Sequence, residues 1–154
     1  MKIARILCAT LAAWSLGEGY LMARSLPPLV QWSADSATML VIVGNRLQLF
    51  DASGKPGKAL TLDAEPAEPA FSPDGTKLAF IVKGQMWILD IASESKVQVF
   101  DSSSPMQFCR SPQWSSNGQI LTFLVITAGN PGEGQIYMAR ADGTNKALLV
   151  RYAP

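Results

Sequence analysis

Between Lys77 and Asp90, apolar residues occupy both faces of two short segments separated by Lys83-Gly84. Side chains alternate along a strand, so in 77–82 Leu78, Phe80 and Val82 point one way and Ala79 and Ile81 the other. A strand that is apolar on both faces must be covered on both sides. Residues 85–91 repeat the pattern with Met86, Trp87, Ile88 and Leu89, and Lys83-Gly84 reads as the hairpin between the two strands. Lys96-Val97-Gln98-Val99-Phe100 alternates polar and apolar, as a half-exposed outer strand does. Upstream, 68–72 is a short first strand closed by Pro73-Asp74-Gly75. Proline fixes φ there, Asp74 can bond its own downstream backbone, and Gly75 accepts positive φ. The pattern therefore predicts four strands, running from a buried inner pair to a wetter outer edge.

Degenerate copies flank this unit. Trp32-Ser33-Ala34-Asp35 precedes Phe71-Ser72-Pro73-Asp74 by 39 residues, and Trp114-Ser115-Ser116-Asn117 follows it by 43. The first copy predicts strands at 29–33, 38–43, 46–51 and 58–62, with Gly44-Asn45 as its hairpin. The third predicts strands at 112–115, 120–126, 135–141 and 146–151, with a long Gly- and Pro-rich loop at 128–134. A repeat of roughly 40 residues holding several short strands marks a β-propeller blade. The expected fold is all-β: three four-stranded antiparallel blades at about 29–62, 68–100 and 111–150, forming an incomplete ring. Asp35, Asp74, Gly75, Asn117, Gly118, Asp142 and Gly143 are assigned to structural turns. The first turn is the weakest, because Ala34-Asp35-Ser36 replaces Pro-Asp-Gly. Trp32, Phe71 and Trp114 are expected to fill the space between blades.

Three complete sheets make an open fan, so the first and last blades each expose an apolar face. Contiguous apolar patches above roughly 300–600 Å² usually mark interfaces. The expected partner is another protein or a second copy, two chains pairing into a six-bladed ring.

Composition narrows the chemistry. The 154 residues are 48% hydrophobic and 16% charged, enough to bury a core. The net charge of +1, with no basic stripe, gives nucleic-acid binding no support. There is no histidine, which removes Ser-His-Asp and Cys-His nucleophiles and His-ligated zinc. No Gly-x-Ser-x-Gly elbow occurs either. Asp63, Glu65 and Glu68 form a carboxylate-rich linker without a cation-binding loop around them, and Asp142-Gly143 is a hairpin signal. No catalytic residue, metal ligand or cofactor is assigned.

The N-terminus has the form of an export signal. Lys2 and Arg5 precede the uncharged, mostly apolar run 6–16, and small residues follow at Ser15, Gly17 and Gly19. An 11-residue run falls short of the roughly 20 needed to span a bilayer. A signal peptide over 1–19 is expected, the alternative being an uncleaved anchor to about residue 23, which would be the chain's one membrane contact. Cys8 would leave with the signal, and Cys109 beside Phe108 is read as a small buried hydrophobe.

Phe71-Ser-Pro-Asp-Gly-Thr-Lys-Leu-Ala-Phe80 and Gln135-Ile-Tyr-Met-Ala-Arg-Ala-Asp-Gly-Thr144 resemble the TolB-like propeller repeats of bacterial periplasmic proteins. The resemblance covers about 29–150. It implies four antiparallel strands per blade and a periplasmic or secreted location. The expected function is an exported, non-enzymatic module for protein–protein interaction in the bacterial envelope. Its contact loops are placed at 102–110 and 128–134, with Phe108, Arg110, Asn130 and Glu133 as candidates. Repeats of this type also occur in peptidase propellers, so a fragment or accessory propeller of a peptidase-like enzyme is the alternative, as is glycan or small-molecule binding in an assembled ring.

Overall fold

The computed structural model describes residues 29–101, 104–129 and 133–153. The expected signal at 1–19, its anchor alternative and Asn130 lie outside these residues. Among the described residues there are twelve strands and no helix. Blade 1 comprises β1 (Leu29–Trp32), β2 (Thr38–Val43), β3 (Arg46–Asp51) and β4 (Pro56–Thr61). Blade 2 comprises β5 (Ala67–Phe71), β6 (Lys77–Val82), β7 (Gln85–Asp90) and β8 (Lys96–Phe100). Blade 3 comprises β9 (Gln107–Trp114), β10 (Ile120–Thr127), β11 (Gly134–Arg140) and β12 (Ala147–Tyr152). Each blade is an antiparallel meander whose strands pair in chain order. The fold is a partial β-propeller.

The core lies between the sheets. Blade 2 is covered on both sides, and its strands divide their side chains as the alternation requires. Leu78, Phe80 and Leu89 turn toward Leu40, Ile42, Leu47 and Leu62 of blade 1. Ala79, Ile81, Met86 and Ile88 turn toward Leu121, Phe123, Val125 and Ala139 of blade 3. Phe100, Phe123 and Tyr137 cluster at this second seam, with Phe100 edge-on to Phe123 at 5.7 Å and Phe123 stacked on Tyr137 at 5.9 Å. Aromatic pairs in these arrangements add about 0.5–1.5 kcal/mol beyond the area they bury.

One expectation needs correcting. The 102–110 segment is not a loop throughout: β9 begins at Gln107, so Phe108 and Arg110 are strand residues. The expected span is 112–115, yet the strand runs through Pro112, because β9 is an edge strand, where a missing N–H costs no ladder bond. The strand passes the proline through a bulge between the Thr122–Gln113 and Leu124–Arg110 pairs, with Ser111 at φ 50°. Glu68, before Pro69 in β5, makes the equivalent bulge at φ 48°. The two bulges are linked, since Glu68 accepts hydrogen bonds from the Ser111 N–H and from Arg110 Nη1, the latter at 2.9 Å.

Candidate interaction faces

The inner-strand turns come first, because they hold each blade's aromatic residue in place. Ser33, Ser72 and Ser115 play one role at 39- and 43-residue intervals. Each hydroxyl donates to the side chain two residues on: Asp35 at 2.6 Å, Asp74, and Asn117 at 2.7 Å. Each also accepts the backbone N–H five residues on, from Thr38 at 2.9 Å, Lys77 at 2.9 Å and Ile120 at 3.0 Å. The Asp or Asn oxygen then accepts the N–H of Ala37, Thr76 or Gln119. The turn is closed by a residue of positive φ: Ser36 at 59°, Gly75 at 70° and Gly118 at 70°. A non-glycine residue there costs roughly 1–2 kcal/mol, partly offset by glycine's greater unfolded-state entropy. Ser36→Gly is therefore expected to stabilise the chain by about 0.5–1 kcal/mol, read as a higher urea midpoint with an unchanged slope. A lower midpoint would contradict it.

Outer turns use carboxylates in the same way. Asp51 accepts from the Ser53 hydroxyl and the Ser53 and Lys55 N–H groups. Asp90 accepts from the Ser93 N–H and hydroxyl, and Asp142 from the Thr144 hydroxyl and N–H. Gly143 completes that last turn at φ 84°.

All five carboxyls are held below their ordinary value of 3.8. The leading causes are the hydroxyls of Ser33, Ser53, Ser72 and Thr144 for Asp35, Asp51, Asp74 and Asp142, and the Ser93 N–H for Asp90. A folded pKa below the unfolded one stabilises above the unfolded value and is lost as pH falls through the folded one. The melting temperature should thus stay level in its dependence on these groups from about pH 5 upward and fall steadily below about pH 4. Scanning calorimetry across pH 2–7 checks this, and a rise on acidification would contradict it.

In blades 2 and 3 the turns set the inner-strand aromatic against the blade before it. Phe71 packs on the blade 1–2 core, and Trp114 on the blade 2–3 core, its Nε1 donating to the Ala70 carbonyl at 3.0 Å. Trp32 departs from the expectation that all three aromatics fill interblade space. No blade precedes its own among the described residues, and it is 48% exposed. By register, Val30 and Trp32 share a face with Val41 and Met39, and Met39 pairs with Phe50. That face also carries Val43, with Gln48 and Arg46 opposite Val41 and Val43, so blade 1 presents a mainly apolar outer surface, with Val30 at 52% and Val43 at 61% exposed.

Blade 3 presents a second such surface. Thr122 pairs with Met138, and Leu124 with Ile136, on the side away from blade 2. Val150 and Tyr152 of β12 extend it and are exposed.

The loop candidates are dispersed. Phe108 is exposed in β9 near Gly84, where an added Cβ would meet its ring at 2.9 Å. Arg110 is engaged by Glu68. Glu133 is exposed at the start of β11 and lines a recess of about 290 Å³ with Gln135, Arg151 and Tyr152. A shallower recess of about 400 Å³ lies where the ends of β1, β5 and β9 converge, walled by Trp32, Phe71, Pro73, Gln113 and Trp114. Among the described residues no group of three or more His, Cys, Asp or Glu is arranged to hold a metal ion. Glu68, counted with Asp63 and Glu65 in the linker cluster, is instead occupied by blade 3.

Cys109 is 1% exposed in the blade 2–3 core, and burial pushes its thiol up to about 12. A thiol so protonated and shielded is a poor nucleophile. Iodoacetamide at pH 7.5 should leave Cys109 unmodified until denaturant is added, as read from the Cys109 peptide by mass spectrometry. Rapid labelling of the native protein would show that blades 2 and 3 separate readily.

No protein-family model matches the chain. It is 32% identical over 124 residues to the protein TolB homolog of Chlorobaculum tepidum, an alignment covering 74% of this chain and 27% of that protein. The chain thus spans about a quarter of the length of this curated relative. Among solved structures, a TolB of Agrobacterium tumefaciens superposes with a TM-score of 0.62 at 19% identity, over 84% of this chain and 52% of that one. Dipeptidyl peptidase 4 of Porphyromonas gingivalis gives 0.62 at 13% identity, over 79% of this chain and 25% of that one. The propeller domain of the Pyrococcus furiosus Trilobed protease, described as having an open velcro topology, gives 0.59 at 11% identity, over 84% and 44%. At these identities the structural likenesses establish the fold.

Proposed function

Because this chain is built from TolB-like β-propeller repeats, we propose that it is an exported, non-enzymatic module for protein–protein interaction in the bacterial envelope. The observation that carries the reading is the pair of apolar end faces. Interblade cores elsewhere in the chain bury such surfaces completely, and Leu40, Phe80 and Phe123 are at most 2% exposed. Trp32, Val43 and Val150 sit on mainly apolar faces, with Gln48 and Arg46 on that of blade 1 and Thr122 on that of blade 3, yet remain open. Burying apolar surface yields about 25 cal/mol per Å², so faces of this kind favour a protein partner. Export is supported by the charged and apolar pattern of residues 2–16 and by the likeness to a TolB homologue.

The fold likeness to a dipeptidyl peptidase favours a second reading, in which the module covers or gates a catalytic domain carried on another chain. One experiment separates the two. A photo-crosslinking amino acid is placed at Trp32 or Met138 of the full chain in living cells, with exposed Lys96 as the control position. The interaction reading expects adducts from the end faces, in the periplasmic fraction, and none from position 96. Adducts to a hydrolase favour the second reading. A chain found in the cytoplasm, without adducts at either face, rules out both.

A further inference from the structure

We propose that the occupant of both open faces is a second copy of this chain, docked head to tail so that blade 1 of each copy stacks on blade 3 of the other. This rests on the interaction reading above and names its partner.

The chain already builds the required interface twice. At the first seam, blade 2 offers Phe71, Leu78, Phe80 and Leu89 to blade 1. Counting back 39 residues gives Trp32, Met39, Val41 and Phe50, which lie on the open face of blade 1, while Trp87 at the same seam counts back to Gln48. At the second seam, blade 2 offers Ala79, Ile81, Met86 and Ile88 to blade 3. Register places Thr122, Leu124, Ile136 and Met138 at the equivalent positions of blade 3, on its own open face. One end of the fan is therefore the surface that a blade turns to its predecessor. The other is the surface that a blade turns to its successor. They are complementary, so two copies satisfy both faces at once and the assembly closes without exposing a new edge.

The inner strands supply an atomic test of the fit. Trp114 donates to the carbonyl of Ala70, the residue just before blade 2's own aromatic. The corresponding residue of blade 3 is Gln113, which is exposed and sits beside Trp32 and Trp114 on the recess at the inner strand ends. In the assembly, the Trp32 indole N–H takes the Gln113 carbonyl of the second copy as Trp114 takes Ala70.

The test uses the full chain and two variants, Trp32→Glu and Leu124→Glu, each blocking one face. The wild-type chain should sediment at twice its 16.6 kDa mass. Each variant should dissociate at least tenfold more readily while keeping the wild-type circular dichroism spectrum. An equimolar mixture should recover dimers, because the intact blade 1 face of Leu124→Glu meets the intact blade 3 face of Trp32→Glu. Two Cys8→Ser chains, one carrying Trp32→Cys and the other Gln113→Cys, should form an oxidised dimer when mixed, which reductant releases.

Dimers disrupted by Trp32→Glu but indifferent to Leu124→Glu would mean like-to-like pairing, which overturns the head-to-tail proposal and leaves the interaction reading standing. So would a monomer in which a Trp32→Cys thiol reacts rapidly with iodoacetamide. A monomer with that thiol shielded would mean that the chain covers its own face, and both readings would fall. Should a charged variant not fold, the cysteine pair decides: no dimer on oxidation overturns the proposal.

Discussion

Phe80→Ala is expected to cost about 3–5 kcal/mol of folding stability, whereas Val41→Ala, at the equivalent position 39 residues earlier, should cost about 1 kcal/mol or less in the dissociated chain and more where two copies pair. Phe80 is 1% exposed between β6 and blade 1, with Leu40, Ile42 and Leu47 around it. Removing its ring deletes buried surface and leaves a cavity that strands fixed on both sides cannot close. A domain of this size has about 5–15 kcal/mol in hand, so the variant should approach unfolding at 37 °C. Val41 has the same strand and the same direction, but nothing stacks on it among the described residues. Urea titrations followed by circular dichroism give both numbers. The Val41→Ala cost should fall on tenfold dilution while the Phe80→Ala cost does not, because a dimer interface loses its contribution on dilution. Equal costs that persist on dilution would mean that the chain itself buries the open face of blade 1.

This contrast also marks how far the sequence was legible. β2, β3, β6, β7 and β8 begin and, for all but β7, end where the alternation put them. Apolar side chains on both faces, bounded by Gly44-Asn45 and Lys83-Gly84, leave little freedom of register. The outer and edge strands were read less well. β4 starts two residues before the predicted 58, because Pro56 and Gly57 look like loop but tolerate an outer edge. β9 starts five residues before the predicted 112 for the related reason given above. Local signals describe a strand's own preference, whereas these strand ends are fixed by pairing with a neighbour that has already formed.

Environment was harder to read than secondary structure. Trp32, Phe71 and Trp114 occupy one motif position, yet only the latter two are packed against a preceding blade. Nothing local to Trp32 distinguishes it; the difference is that no blade precedes its own among the described residues. The Glu68–Ser111 link was also hidden, since two bulged strands from different repeats had to be superposed before a linker carboxylate could be seen as a cap. The serine before each turn was visible but unused. Ser33, Ser72 and Ser115 recur in all three copies, a stronger signal than the Asp-Gly pair, which the first and third copies alter.

Ser72→Ala should accordingly destabilise the chain by about 1–3 kcal/mol, more than an exposed serine's replacement would. The hydroxyl is 1% exposed and belongs to two hydrogen bonds of opposite sense, as donor to Asp74 and acceptor from the Lys77 N–H. Alanine leaves that N–H without its side-chain partner at the start of β6, and a buried unpaired group costs its full desolvation. It also withdraws the chief influence holding the Asp74 carboxyl below its ordinary range. The loss has a signature that a packing defect lacks: Asp74 should titrate closer to 3.8 in the variant, so the Ser72→Ala penalty should shrink as pH falls below about 4. Ser93→Ala at the exposed outer turn should lower stability less, because water can replace its hydroxyl at Asp90. Calorimetry of the three proteins at pH 7 and pH 3 tests the sign and the order together. A Ser72→Ala penalty below that of Ser93→Ala, or one independent of pH, would show that the buried serine does not hold the turn.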